Sequence, residues 1–84
     1  MKNPNIPPEI KNQIFTFYRN VKYLREKSGL TTKQLSEIIG ISEKKLSAAE
    51  NCESVGCFYD KHVKNVCVYF NVSADVLFYE ELSS

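Results

Sequence analysis

Apolar side chains recur along the first third of the chain at helical spacing. They fall at successive intervals of four, three, four and three residues, at Ile10, Ile14, Phe17, Val21 and Leu24. Residues three or four apart share one face of an α-helix, so this stripe predicts a long first helix with a core-facing side. Proline suits the first helical turn and glycine the stop, so the helix is expected to run from Pro8 to about Ser28.

Capping residues mark the ends of two shorter helices that follow. Thr31 with Gln34 three residues later forms a capping box that starts the second helix. Gly40 ends it because glycine adopts a positive φ at little cost, and Ser42 then caps a third helix. The side chains expected to face the core from these two helices are Leu35, Ile38, Ile39, Leu46 and Ala49.

The rest of the chain predicts two more helices. Residues 51–58 are expected to form a loop, followed by a helix from about Tyr59 to Phe70 and a helix from about Ala74 to Leu82. The buried side of the fourth helix is predicted to be Val63, Val66, Cys67 and Phe70. No run alternates with period two and no hairpin dipeptide occurs, so the sequence predicts an all-α fold.

Length and composition fit one small domain with a modest core. The chain has 84 residues, of which 43% are hydrophobic and 25% charged. Its first residues are polar and proline-rich, unlike an export signal, and no apolar run approaches the ~20 residues of a membrane span. We therefore expect a cytoplasmic protein without membrane contact.

Three cysteines and the one histidine invite a test for zinc, because Cys52, Cys57, His62 and Cys67 are spaced five residues apart. Five residues turn about 140° around a helix, whereas ligand pairs on one helical face lie three or four apart. We therefore predict no metal and no cofactor, but reduced thiols: a buried Cys67 and two loop cysteines. With no phosphate-binding glycine loop and no partner for His62, the sequence does not indicate an enzyme.

The helix order resembles the phage-repressor-like (XRE-type) helix-turn-helix family. The resemblance rests on LREKSGLTTKQLSEIIGIS, SAAEN and NVSADVLF, and it spans roughly residues 21–82. It implies that residues 1–84 form one compact five-helix, lambda-repressor-like domain. Residues 32–50 would be its helix-turn-helix and 59–82 its last two helices, while residues 1–17 extend the first helix.

The resemblance also implies a DNA-binding surface and a structural ion pair. The residues at its DNA-contacting positions are Thr32, Lys33, Glu43, Lys44, Lys45, Ser47, Ala48 and Asn51. Arg25 and Glu50 stand where the family places a pair that braces the first helix against the third. An exposed pair of this kind would add little stability.

Several positions depart from a typical DNA reader. Thr32 stands where the family often has glutamine, and the loop NCESVGCF replaces a small basic loop. Glu43 and Ala48 remain usable, because a carboxylate accepts from cytosine and a methyl group contacts thymine. Charge is uneven: residues 18–34 carry five cations against one acid, net +4, and residues 35–60 carry two against five, net −3.

The resemblance thus implies a sequence-specific DNA-binding transcriptional regulator, a repressor that acts as a homodimer on a short palindromic operator in double-stranded DNA. A protein-interaction module that keeps the fold without reading DNA is the alternative, and its partner would be another protein. The extra apolar residues at the two ends form either the dimer interface or a contact within one monomer. These residues are Ile10, Ile14, Phe17, Phe78, Tyr79 and Leu82.

Overall fold

Five α-helices make up the secondary structure of residues 7–83, the part of the chain that the computed structural model describes. They are α1 (Pro8–Lys27), α2 (Thr32–Ile39), α3 (Glu43–Glu50), α4 (Asp60–Phe70) and α5 (Ala74–Tyr79). These residues contain no strand, which confirms the all-α prediction. None of these helices combines the length and the apolar character needed to cross a membrane.

The predicted caps define the ends of α2 and the start of α3. Thr31 Oγ1 accepts from the Gln34 amide at 3.0 Å, and Gln34 Oε1 accepts from the Thr31 amide at 2.9 Å. Gly40 ends α2 with a φ of +93°, a left-handed conformation that glycine adopts most cheaply. Ser42 Oγ then accepts from the Lys45 amide at 3.1 Å. The capping box, the glycine stop and the serine cap are all confirmed.

The core is built from side chains of all five helices and of the loop between α3 and α4. Its buried apolar side chains are Phe17, Tyr18, Val21, Leu35, Ile39, Leu46, Ala49, Cys57, Val66 and Leu77. The apolar stripe of α1 enters this core only from its second turn onwards, because Ile10 keeps 49% of its surface exposed. The prediction that the whole stripe faces the core is therefore wrong at Ile10.

The first and last helices pack against each other within the monomer. The ring of Phe17 stacks on that of Phe78 with centroids 4.5 Å apart, and Phe17 is only 1% exposed. The assignment of Phe17 to a dimer interface is therefore wrong, since its ring is already covered inside the chain. Asn20 fixes the same contact: its amide donates to the carbonyls of Leu77 and Glu80, at 2.8 and 2.6 Å.

The fifth helix is shorter than expected, and Asn20 supplies the reason. The sequence predicts α5 to reach Leu82, whereas it ends at Tyr79, with Glu80 in an extended conformation. Asn20 Oδ1 accepts from the Leu82 amide at 3.0 Å, so that amide bonds to α1 instead of to the preceding helical turn. The backbone groups that would have continued the helix are thus satisfied by a side chain of α1.

Residues 51–59 connect α3 to α4, and the hydroxyl of Tyr18 holds this segment. It donates to the Val55 carbonyl at 2.9 Å and accepts from the Cys57 amide at 3.2 Å. Burial of this hydroxyl raises the pKa of Tyr18 to about 12. The loop is therefore anchored to α1 in the molecule's interior.

The cysteines are distributed differently from the prediction. Cys57, expected to be a plain loop residue, is buried, whereas Cys67 is only partly buried. The backbone hydrogen bond from Cys57 to Tyr18 draws the loop cysteine inwards. Burial raises the pKa of the Cys67 thiol. All three cysteines, including Cys52, are free thiols.

Candidate nucleic-acid interface

Helix α3 presents one polar face to solvent while its other face is fixed in the core. Leu46 and Ala49 are fully buried, and they orient the helix against α1 and α2. The exposed side chains are Glu43, Lys44, Lys45, Ser47 and Asn51, five of the eight residues that the resemblance assigns to DNA contact. This face offers both cations and hydrogen-bonding groups at one surface, as contact with base edges and phosphates requires.

Ala48 lies at the border of this face. It is half-buried and packs against the apolar core, and its carbonyl accepts from the Glu53 amide at 2.9 Å. Its methyl group is thus shared between the core and the surface. A thymine methyl group could contact Ala48 only on the part of its side chain that remains exposed.

The start of α2 supplies the remaining predicted contacts. Thr32 is half-buried in the first turn and Lys33 is exposed. The capping box already uses the amides of Thr31 and Gln34, so the amides of Thr32 and Lys33 are the ones left at this helix end. Backbone amides at a helix N-terminus suit a phosphate oxygen, and the Lys33 ammonium group would add charge to the same contact.

Residues at the start of α4 extend this surface, and the sequence reading missed them. Tyr59 is 65% exposed, and the ammonium group of Lys45 lies 6.0 Å from the centre of its ring. Lys61 follows on the first turn of α4 and is exposed. In the sequence, the only indication of this extension is an aromatic residue and a lysine just after the predicted loop. Only the folded chain shows that they lie near α3.

His62 links this region to the turn between α2 and α3. Its Nδ1 accepts from the Tyr59 amide at 2.9 Å, which caps α4, and its ring stacks on that of Tyr59. Burial lowers the pKa of His62, and the charges of Lys61 and Lys45 lower it further, while a hydrogen bond with the backbone of Gly40 opposes the shift. The neutral imidazole therefore joins α4 to the turn that precedes α3.

Arg25 and Glu50 hold α3 at its other end. Arg25 Nε donates to Glu50 Oε2 at 2.8 Å, and Nη2 donates to Oε1 at 2.9 Å, a two-pronged contact. The side chains are only 13% and 6% exposed, so the predicted pair is formed and is not of the exposed kind that would add little stability. Nη1 of Arg25 also donates to the Leu30 carbonyl at 2.9 Å. The carboxylate raises the already high pKa of Arg25, so the guanidinium stays charged.

The charges around α3 are mixed. Lys33, Lys44, Lys45 and Lys61 are exposed, but Glu43 and Glu53 are exposed as well. An acid near a phosphate backbone weakens binding unless it finds a donor such as the cytosine amino group. The surface is thus suited to selective contact at a few positions, and it provides little nonspecific attraction.

Residues 7–83 contain no group of three histidine, cysteine or acidic side chains that is placed to hold a metal ion. In comparisons with known proteins, no family model, curated protein or solved structure matches the chain.

Proposed function

We propose that this protein is a sequence-specific DNA-binding regulator with a lambda-repressor-like helix-turn-helix fold. The observation that carries the proposal is the placement of α3. Its start is capped by Ser42, its end is braced by the Arg25–Glu50 pair, and the polar face between them is exposed. A helix that is held rigidly at both ends lowers the entropic cost of ordering its exposed side chains when they contact base edges in the major groove.

The arrangement around α3 supports this proposal. The tight turn at Gly40 joins the end of α2 to the start of α3, and the two helices pack against each other. In helix-turn-helix proteins the second helix reads bases while the first crosses the phosphate backbone. The basic residues Lys33, Lys45 and Lys61 would then flank the reading residues as phosphate contacts.

One copy offers few phosphate contacts, so useful affinity would come from two copies on a palindromic site. Binding of such a dimer at a promoter would block transcription by occupancy, which makes repression the simplest activity. We place this activity in the cytoplasm, in keeping with the three free thiols.

The first experiment measures fluorescence anisotropy with DNA from upstream of the protein's own gene and with scrambled DNA of equal length, over a range of salt concentrations. Selective binding is expected, with log K falling linearly against log salt by about 0.9 for each phosphate contact. Equal binding to both DNAs with no preference, or no binding to either, would contradict the proposal.

Charge reversal identifies the surface. Lys44→Glu and Lys33→Glu each place an acid against the DNA and are expected to weaken selective binding at least tenfold, on the order of 1.4 kcal/mol. Lys27→Glu, an exposed reversal on the last turn of α1, is the matched control and should bind much as the unaltered protein does. If Lys27→Glu weakened selective DNA binding more than Lys44→Glu did, the DNA-binding surface would lie elsewhere on the molecule.

A protein-interaction module is the second candidate, and the acids around α3 favour it. Glu43 and Glu53 are exposed, and Ala48 is partly withdrawn into the core. In that case the α3 face would bind a basic protein surface and not DNA. Lys44→Glu would then leave binding to the partner unchanged or strengthen it, the reverse of its effect on a DNA complex.

A further inference from the structure

A polar cleft lies between the second half of α1 and the end of α3. Its volume is about 290 Å³, at the small end of the range for ligand sites in proteins, so it admits only a small molecule. Each side chain that lines it carries a charged, polar or thiol group. The lining includes Lys22, Tyr23 and Glu26 of α1 together with Glu50, Asn51 and Cys52.

Two ion pairs account for most of the charge around this cleft. Arg19, which also lines it, pairs with Glu81 at 3.3 Å. Glu50 is held by Arg25 at 2.8 Å. Once these pairs are set aside, the charged side chains that remain in the lining are one cation and one acid, Lys22 and Glu26.

These two side chains keep charges that the fold does not neutralise. Lys22 is half-buried and takes part in none of the ion pairs formed among residues 7–83. Glu26 only approaches Arg25, at 3.8 Å, and is 59% exposed. Lys22 and Glu26 share one face of α1 but do not pair with each other, and lysine before glutamate is the less favourable order for such a pair. The cleft therefore presents an ammonium group and a carboxylate one helical turn apart.

We infer that this cleft binds a free α-amino acid. The carboxylate of the ligand pairs with Lys22 and its ammonium group pairs with Glu26. Both groups are attached to one carbon of the ligand, so they can reach two helix positions whose Cβ atoms lie about 5–6 Å apart. A simple anion would be repelled by Glu26 and a simple cation by Lys22, so only a ligand with both charges satisfies both residues.

The rest of the cleft receives the side chain of the amino acid. The ring of Tyr23 and the thiol of Cys52 are both half-buried and form the less polar part of the wall. The exposed amide of Asn51 can donate and accept hydrogen bonds beside them. These walls differ in polarity, so the site is expected to distinguish among amino acids by their side chains.

The test is a calorimetric titration of the full chain, without DNA, with each of the common L-amino acids in turn. At least one is expected to bind. The acid that lacks its amino group and the amine that lacks its carboxylate, each with the same side chain, are expected to bind at least tenfold more weakly. Failure of every amino acid to bind, or equal binding of either analogue, overturns the inference.

Charge-neutralising variants locate the site. Lys22→Gln and Glu26→Gln each remove one of the two charges and are expected to raise the dissociation constant of the amino acid at least tenfold. Lys11→Gln is the matched control, because Lys11 is an exposed lysine of the same helix that does not line the cleft. It should leave the dissociation constant unchanged, and circular dichroism checks that the helices of each variant are intact. Unaltered binding in either cleft variant, or an equal loss in Lys11→Gln, overturns the assignment of this cleft.

The outcome is independent of DNA binding, since Lys22 and Glu26 lie outside the candidate interface and the titration contains no DNA. A chain that binds an amino acid but does not distinguish its own upstream DNA from scrambled DNA retains this site and loses the proposed function. A chain that binds its operator selectively but no amino acid retains the function and loses the site.

Discussion

At the scale of single residues, a few buried polar side chains decide which backbone segments meet. Asn20 is fully buried and satisfies three backbone groups of the chain between residues 77 and 82. An amide side chain can donate twice and accept at its oxygen, so Asn20 matches this set of two carbonyls and one amide. No apolar residue of similar size could replace it without leaving those groups without partners.

Asn20→Ala is therefore expected to lower the free energy of unfolding by about 2–4 kcal/mol, since it leaves backbone groups unpaired at a packed contact. Urea denaturation followed by circular dichroism measures the change. Asn12→Ala, an exposed change on the same helix, serves as the control and should stay within about 0.5 kcal/mol of the unaltered protein. Equal effects of the two substitutions would contradict the role of Asn20.

His62 makes stability depend on pH. Its folded pKa lies below the ordinary 6.5, because burial and the nearby lysines disfavour the charged form. The unfolded chain therefore takes up a proton first as the pH falls. The contribution of the neutral His62 to the free energy of unfolding is therefore complete above pH 6.5. It is lost as the pH falls from 6.5 towards the lower pKa of His62 in the folded state.

His62→Gln tests this dependence, because glutamine at the same capping position can accept the Tyr59 amide but does not titrate. Between pH 7.5 and 5.5, a range above the ordinary carboxylate pKa values of about 4, the free energy of unfolding should fall in the unaltered protein and stay level in the variant. Urea midpoints at several pH values give the comparison. An equally steep fall in both proteins would assign the dependence to another group.

At the scale of helices, the Arg25–Glu50 pair joins the last turn of α1 to the end of α3. The pair is mostly buried, and Nε and Nη2 of Arg25 both donate to the carboxylate, so it behaves differently from a surface ion pair. Removing one partner leaves the other charge desolvated. The end of α3 would then lose the contact that fixes its direction relative to α1.

Glu50→Ala is expected to cost about 2–4 kcal/mol of unfolding free energy, near the lower end for broken buried pairs because Arg25 keeps its bond to Leu30. Glu26→Ala is a close control: Glu26 also pairs with Arg25, at 3.8 Å, but its side chain is 59% exposed. That change should cost less than about 0.5 kcal/mol. Thermal unfolding of the two variants measures both changes. A similar loss of stability in both would mean that burial of the Arg25–Glu50 pair does not contribute to the free energy of unfolding.

At the scale of the whole molecule, helix order and most helix ends could be predicted because their causes are local. Thr31 with Gln34, Gly40 and Ser42 act on backbone groups within three or four residues, so the sequence alone shows them. The end of α5 could not be predicted in this way. It is set by Asn20, more than 50 residues earlier in the chain.

The site was predictable to the same extent. The exposed face of α3 followed from its periodicity, and the family resemblance assigned DNA-contacting roles to its residues. The contribution of Tyr59, Lys61 and His62 was not predictable, because the loop before α4 had to fold back onto Tyr18 before they could approach α3. The burial of Cys57 escaped prediction for the same reason.

The bond between Asn20 and the segment around Leu82 has a consequence for synthesis on the ribosome. Translation proceeds from the amino end, so α1 emerges long before the residues that cover it. Until residue 82 has left the exit tunnel, Phe17 lacks its stacking partner Phe78 and the amide of Asn20 lacks its acceptors. The nascent chain therefore cannot complete its core until residues 77–82 have emerged, more than 50 residues after Asn20.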